Sequence, residues 1–305
     1  MSSDRSARNL PEAGSETGRT AMKVISTKAE LRRYLDDERR AGHRIGLVPT
    51  MGALHAGHRS LIDAARLDCD VVVLTIFVNP LQFAVGEDLS AYPRPIERDL
   101  ELAEAAGASV VFTPSESEMY PTPTTTTVHV EGLTSSMEGA ARPTHFDGVT
   151  TIVTKLFNLA GACRAYFGEK DYQQLAVVTR MAADLDQPVE VVPCPIIRES
   201  DGLALSSRNI YLSPADRTAA VVLSRSLAGA VDAILAGERD GRAISDMLAR
   251  RVEQEPRAAL EYAAVVDAAT LEPVGELRPE AVIRLIMTAR FGTTRLLDNM
   301  GVVVP

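Results

Sequence analysis

Pro49-Thr50-Met51-Gly52-Ala53-Leu54-His55-Ala56-Gly57-His58 stands between an apolar run, Ile45-Gly46-Leu47-Val48, and Ser60-Leu61-Ile62-Asp63-Ala64-Ala65-Arg66-Leu67. The run predicts a short buried strand, and apolar spacings of three and four in the second segment predict a helix. Two histidines and two glycines therefore sit on a strand-to-helix turn. Such a turn suits an anion, because a helix start offers unpaired N–H groups and the positive end of a dipole. Gly57 has no Cβ and lets a phosphate or ribose approach the backbone, and the imidazoles of His55 and His58 can add donors. A turn with two surface histidines is the plain alternative. A two-histidine metal site at this spacing lacks a nearby Cys or carboxylate to complete a tetrahedral set.

The pattern around that turn repeats. Strand-like runs at 45–48, 71–78, 109–113, 164–167 and 189–192 alternate with helix-like segments at 60–67, 97–106, 149–159 and 172–185. Alternation of this kind predicts a parallel α/β sheet. Near-continuous Val, Leu and Ile over 71–78 fits a strand covered on both faces. Ligands of such sheets lie at the carboxyl ends of strands. The blocks 49–58, 79–83 and 168–174 each follow a predicted strand, so they are expected to converge on one cleft.

Beyond Ile197 the pattern changes to Ala-rich helices at 214–236 and 243–253, followed by strand-like 260–266 and 281–289. The expected organisation is a disordered polar tail over 1–20, an α/β domain over 21–197 and a small α+β domain over 198–305. The last carries Leu205-Ser206-Ser207-Arg208 on its leading loop, where it can close over a ligand held by the first domain. Pro121-Thr122-Pro123-Thr124-Thr125-Thr126-Thr127 reads as an extended surface loop or edge strand, with a flap over the site as the alternative.

A chain of 305 residues with formal net charge −9 can bury two modest cores. Its acidity argues against general nucleic-acid binding, which needs a basic surface. The tail has no apolar core of a secretory signal. No uncharged apolar run approaches the ~18 residues that suggest a membrane span, so no membrane partner is expected. Cys69, Cys163 and Cys194 are odd in number and form no C-x-x-C pair, which suits buried, reduced thiols in a cytoplasm.

The decamer 49–58 has the H-x-G-H form of nucleotidyltransferases and class I aminoacyl-tRNA synthetases, and its wording resembles the pantothenate synthetase (pantoate–β-alanine ligase) family. The resemblance continues through Phe77-Val78-Asn79-Pro80-Leu81-Gln82-Phe83, Ala91-Tyr92-Pro93-Arg94, Arg142-Pro143-Thr144-His145-Phe146-Asp147-Gly148-Val149, Phe167-Gly168-Glu169-Lys170-Asp171-Tyr172-Gln173-Gln174 and Asp201-Gly202-Leu203-Ala204-Leu205-Ser206-Ser207-Arg208-Asn209. Thr293-Thr294-Arg295-Leu296-Leu297-Asp298-Asn299 resembles the family's C-terminal ending.

The resemblance implies a Rossmann-like, doubly wound parallel sheet with a smaller C-terminal domain. It also implies a homodimeric ligase that condenses (R)-pantoate with β-alanine using ATP and Mg²⁺, through a pantoyl adenylate, releasing pyrophosphate and AMP. By matching positions, ATP falls to Met51, Gly52, Ala53, Leu54, His55, Ala56, Gly57 and His58, to Gly168, Glu169, Lys170 and Asp171, and to Ile197, Leu205, Ser206, Ser207 and Arg208. The last four look like a variant of the K-M-S-K-S loop. His55, His58, Lys170, Ser206, Ser207 and Arg208 are the catalytic candidates, with His58 also the candidate for proton handling. Gln82 and Gln174 fall to pantoate, Gln82 also to β-alanine, and amides that donate and accept suit a hydroxy acid. Asn79, Tyr92, Arg142 and His145 match further cleft positions.

Asp99 matches a position that can hold Mg²⁺ with ATP, although Arg98 and Leu102 stand where oxygen ligands would help. Its alternative is a helix-start carboxylate. Taken singly, Lys170-Asp171 reads as a solvated pair and 205–208 as a polar turn. A tRNA-synthetase-like adenylating enzyme is disfavoured by short length, acidity and the lack of an obvious anticodon domain, and a silent ATP-binding module by retention of both glutamines.

Overall fold

The computed structural model describes residues 21–84, 87 and 89–305; the expected tail, 1–20, lies outside them. In chain order the first part comprises β1 (Lys23–Ile25), α1 (Lys28–Arg40), β2 (Ile45–Thr50), α2 (Ala56–Asp68), β3 (Val71–Ile76), α3 (Ile96–Ala106), β4 (Val110–Phe112), α4 (Glu116–Met119), α5 (Met137–Ala141), α6 (His145–Ala160), β5 (Cys163–Gly168), α7 (Tyr172–Asp184) and β6 (Val189–Cys194). The six strands are parallel, in the order β1-β4-β3-β2-β5-β6. From β2 the chain winds outward through β3 to β4, then returns to the other side of β2 for β5 and β6. Strand order thus reverses between β2 and β5, the crevice where open α/β sheets take their ligands.

The apolar composition of β3 follows from this burial. Val71 and Val73 enter the core that holds Phe112, Phe157 and Phe167, whereas Val72 and Leu74 enter the one beneath Leu61, Ile62 and Ala103. Each face of the sheet is covered, so Val71 to Thr75 are buried and Ile76 alone, at the strand's end, is partly exposed. Helix α6 begins at His145, four residues before the apolar periodicity suggests, and contains Gly148. A Cβ there would lie 2.2 Å from the Leu81 carbonyl oxygen. The glycine that weakens the helix is what lets α6 press on the turn after β3.

The second part comprises α8 (Pro214–Ala219), α9 (Val222–Leu235), α10 (Gly241–Glu253), β7 (Ala258–Asp267), β8 (Val282–Phe291) and β9 (Thr294–Val303). Its strands form an antiparallel sheet, β7-β8-β9. The single helix expected over 214–236 is two, because the chain tightens at Ala220 and Val221, where Leu223 N–H bonds the Ala220 carbonyl at 3.2 Å. Pro214–Leu235 spans 22 residues and holds an 18-residue window of mean hydropathy 1.5, long and apolar enough to cross a bilayer. Its apolar face is already covered, with Leu223, Leu227, Ala230 and Ile234 buried in the core of this small domain.

Charged groups dock the two parts. Glu138 of α5 accepts both Arg295 guanidinium nitrogens at 2.6 Å and the Tyr262 hydroxyl at 2.6 Å. Burial alone would raise the Glu138 pKa, but the hydrogen bonds and charge of Arg295 outweigh it and hold the carboxyl at about 2. Within the small domain, Arg198 makes a forked pair with Asp298 at 2.7 and 2.8 Å.

Candidate active site

Strand β2 delivers the histidine turn and α2 receives it. His55 caps α2, its Nδ1 accepting the Gly57 N–H at 3.1 Å, and His58 reciprocates, its Nδ1 accepting the His55 N–H at 3.3 Å. The ring centroids lie 4.1 Å apart. Because each Nδ1 accepts, the proton of each neutral ring sits on Nε2, which becomes a donor. Both rings are neutral. Burial first, then the charge of Lys170, lowers His55 to about 4; burial and the neighbouring His55 lower His58 to about 3. Gly57 makes room for a ring as well as for any ligand, since a Cβ there would stand 2.8 Å from His55 Cε1.

The rest of the turn is held from below. Gly52 and Ala53 both adopt positive φ, 85° and 51°, and the Ala53 and Leu54 N–H groups bond the two oxygens of Asp99 at 2.8 and 2.7 Å. Asp99 is 1 % exposed. The carboxylate anchors the loop, and it lines a smaller cavity of about 370 Å³ rather than the main cleft. Among the described residues no group of three His, Cys, Asp or Glu side chains could hold a metal. What the geometry shows of Asp99 is an anchor for the histidine turn.

The main cleft is a cavity of about 1000 Å³ that Met51, His55, Gly57 and His58 enter from one side and Gly168, Lys170 and Asp171 from another. Lys170 Nζ lies 3.3 Å from Asp171 Oδ1. Ile197, Leu205, Ser206, Ser207 and Arg208 close a third side. They ride on a hairpin, with the Leu205 N–H on the Ile197 carbonyl at 2.9 Å and the Glu199 N–H on the Leu203 carbonyl at 2.8 Å. Ser206 Oγ caps the following short turn, accepting the Arg208 N–H at 3.2 Å. Five positions expected at ATP are not among the described residues lining this cavity: Gly52, Ala53, Leu54, Ala56 and Glu169. Leu54 is a core residue, and Glu169 turns to Arg284, 3.0 Å away.

Both expected glutamines reach the cleft. Gln82 is held by Asn79, whose Nδ2 donates to Gln82 Oε1 at 3.2 Å, and the Gln82 carbonyl receives His145 Nδ1 at 2.9 Å. That bond leaves Nε2 of His145 as the acceptor, and burial lowers this ring to about 4. Asn79, Tyr92, Arg142 and His145 all line the cavity, Arg142 paired with Glu87 at 2.6 Å. Gln174, near the start of α7, faces the cavity too. Its neighbour Gln173 is committed to structure, donating to the Leu133 and Ser136 carbonyls at 2.8 and 3.0 Å.

The family profile for pantoate-beta-alanine ligase matches residues 23–301. The chain belongs to that family. It is 51 % identical over 283 residues to the pantothenate synthetase of Acetivibrio thermocellus, covering 93 % of this chain and all of that protein. The crystal structure of pantothenate synthetase from Thermus thermophilus superposes with TM-score 0.86 at 47 % identity, covering 92 % of this chain and 99 % of that one. Pantoate-beta-alanine ligase from Francisella tularensis, solved with beta-gamma ATP and beta-alanine, gives 0.73 at 29 % identity, covering 92 % and 97 %.

Arg284 escaped sequence reasoning in this ligase-family chain, and Tyr172 and Asn299 were seen only as members of motif blocks, without a role. Asn299 Nδ2 donates to the Glu169 and Lys170 carbonyls at 2.9 and 2.7 Å, and its Oδ1 accepts Arg284 Nε at 2.7 Å. The Arg284 guanidinium lies over the Tyr172 ring, 4.0 Å from its centroid. The block 293–299 was visible as a motif, but nothing in it said that it faces the other domain.

Proposed function

We propose that this chain condenses pantoate with β-alanine, consuming ATP, by way of pantoyl adenylate. One observation carries the reading: the histidine turn, the Lys170 turn and the Ser206–Arg208 hairpin share a single cavity with Gln82 and Gln174. A carboxylate acylates an amine poorly at neutral pH, so its oxygen must first become part of a better leaving group. In the first step a pantoate carboxylate oxygen bonds to the α-phosphorus of ATP, the α–β anhydride bond breaks and pyrophosphate leaves. In the second the amine of β-alanine bonds to the acyl carbon and AMP departs with the oxygen, the amine losing its proton.

The protein's share is alignment and charge stabilisation. Lys170 and Arg208 supply fixed positive charge, Ser206 and Ser207 supply hydroxyls, and His55 and His58 supply Nε2–H donors that carry no charge. Asp171 is assigned to the ribose hydroxyls, Gln82 and Gln174 to pantoate, and Gln82 also to the entry of β-alanine. A ring with its pKa near 3 favours His58 as donor over proton carrier. Magnesium is proposed to enter with the nucleotide, and no carboxylate of this chain is assigned to it.

A homodimer and a cytoplasmic location belong to the same proposal, the latter supported by three free cysteines; light scattering checks the former. The deciding experiment is pyrophosphate exchange into ATP, expected to require pantoate. Exchange that needs an amino acid instead, or none with any acid, overturns the assignment.

A further inference from the structure

Asn299 is fully buried and sits on β9, yet both hydrogens of its amide are engaged in the other domain, on the Glu169 and Lys170 carbonyls at 2.9 and 2.7 Å. Its orientation is fixed, because Oδ1 receives Arg284 Nε at 2.7 Å and a flipped amide would face that cation with its hydrogens. Its neighbour Asp298 holds the second phosphate-facing element. Arg198, at the base of the hairpin that carries Ser206 to Arg208, forks onto Asp298 at 2.7 and 2.8 Å and also donates to the Gly202 carbonyl at 3.0 Å. Two adjacent residues on one strand thus fix the hairpin and the Lys170 turn together. The carbonyls that Asn299 holds belong to a single short helical turn of three residues, Glu169–Asp171. Lysine carries its charge on a flexible four-carbon stem, so where its ammonium stands depends on where that backbone is held.

We propose that Asn299 is a positioning residue for adenylate formation: with Asp298 it sets the spacing between Lys170 and the Ser206–Arg208 hairpin, and its effect on rate passes through Lys170. The inference rests on the assignment of Lys170 to the phosphates of ATP. The test is a double-mutant cycle in the full-length protein with Asn299→Ala, Lys170→Ala and the pair, read by pantoate-dependent ATP–pyrophosphate exchange. Asn299→Ala is expected to lower kcat by about tenfold to a hundredfold, the scale of a misplacement of roughly 1 Å, while KM for ATP moves less than about threefold. In the Lys170→Ala background the same substitution is expected to change kcat by less than about threefold, since coupled residues are not additive.

Equal factors in both backgrounds overturn the proposal, as does a lowered melting temperature with unchanged kcat. If Asn299→Ala fails to fold, Arg284→Lys removes both the Nε–H that fixes the amide and the guanidinium's fixed pairing with Glu169 of the same turn, and the same dependence on Lys170 is expected. A full exchange rate in folded Arg284→Lys overturns the proposal. Near-normal exchange by Lys170→Ala alone overturns the phosphate assignment and this inference with it. A crippled Lys170→Ala with no coupling overturns only the inference.

Discussion

The turn after β2 and the turn after β5 stand side by side where the strand order reverses, yet they are held by opposite means. The first is self-contained: its two histidines cap one helix between them and Asp99 of the same domain takes its amides. The second borrows its shape, since Asn299 and Arg284 of the small domain hold Glu169 and Lys170. A site assembled this way has one wall set by local structure and another set by how the domains meet. Domain docking can therefore govern catalysis without moving the histidines.

The largest expected effects test whether both walls serve the same step. His58→Ala and Lys170→Ala should each slow pantoyl adenylate formation by roughly a hundred- to a thousandfold, the loss typical of one preorganised donor, or about 2.7–4 kcal/mol. Supplied with preformed pantoyl adenylate and β-alanine, both should retain much of the second half-reaction. Single-turnover assays of each half decide it. Normal adenylate formation by either variant removes that wall from the comparison.

Next in size are the glutamines. Gln82→Ala or Gln174→Ala should raise KM for pantoate by about five- to 150-fold, from roughly 1–3 kcal/mol per stranded partner, with KM for ATP little changed. Gln173→Ala should instead lower stability and spare the ratio of the two constants, because its amide serves the backbone. Equal losses for both substrates would remove the glutamines from the pantoate site.

A smaller effect separates anchor from metal ligand. Asp99→Ala leaves the Ala53 and Leu54 amides without their acceptor and should cost about 1–3 kcal/mol in chemical denaturation. Its activity should not return as Mg²⁺ is raised. Recovery at high Mg²⁺ would restore the metal role and break the contrast between the two walls.

The gentlest test is pH. Burial leads in lowering His55 and His145 to about 4 and His58 to about 3 from an ordinary 6.5. The unfolded chain therefore binds more protons below about pH 6.5, and stability rises with pH wherever it does. The contribution of these rings is complete above about 6.5 and is lost as pH falls towards 4 and then 3. Urea midpoints should be level above about pH 7 and decline steadily below 6. A midpoint unchanged down to about pH 4.5 would show that the rings are not held neutral.

Much of this arrangement was legible because the central strands are buried on both faces, which leaves the run of β3 apolar apart from Thr75. The motifs then fell directly after strands. What stayed hidden was non-local. Helix α1 has thirteen residues but only Leu31 and Leu35 are buried, too sparse a stripe to read, and β1 is three residues long. Strand β9 was seen as a motif and not as a strand, since Arg295 and Asn299 face partners across the domain boundary, Asp298 faces Arg198, and the three spoil the alternation of apolar and polar. Asp99 meets its loop 45 and 46 residues away, and no spacing rule reaches that far. Gln173 and Gln174 both line the cavity; the sequence chose Gln174 only through the resemblance, and that Gln173 gives its amide to the Leu133 and Ser136 carbonyls is non-local.

During synthesis, the lysine appears long before the amide that secures it. Asn299 stands 129 positions after Lys170, a stretch that takes about 6 to 26 s to translate at ~5–20 residues per second. By then every strand of the parallel sheet, the last ending at Cys194, has already been made. A ribosome-bound chain therefore passes through an interval with its histidines capped and its lysine unmoored. Pyrophosphate exchange on chains stalled at increasing lengths is expected to begin only once β9 has cleared the exit tunnel, making adenylation one of the last properties the nascent protein acquires.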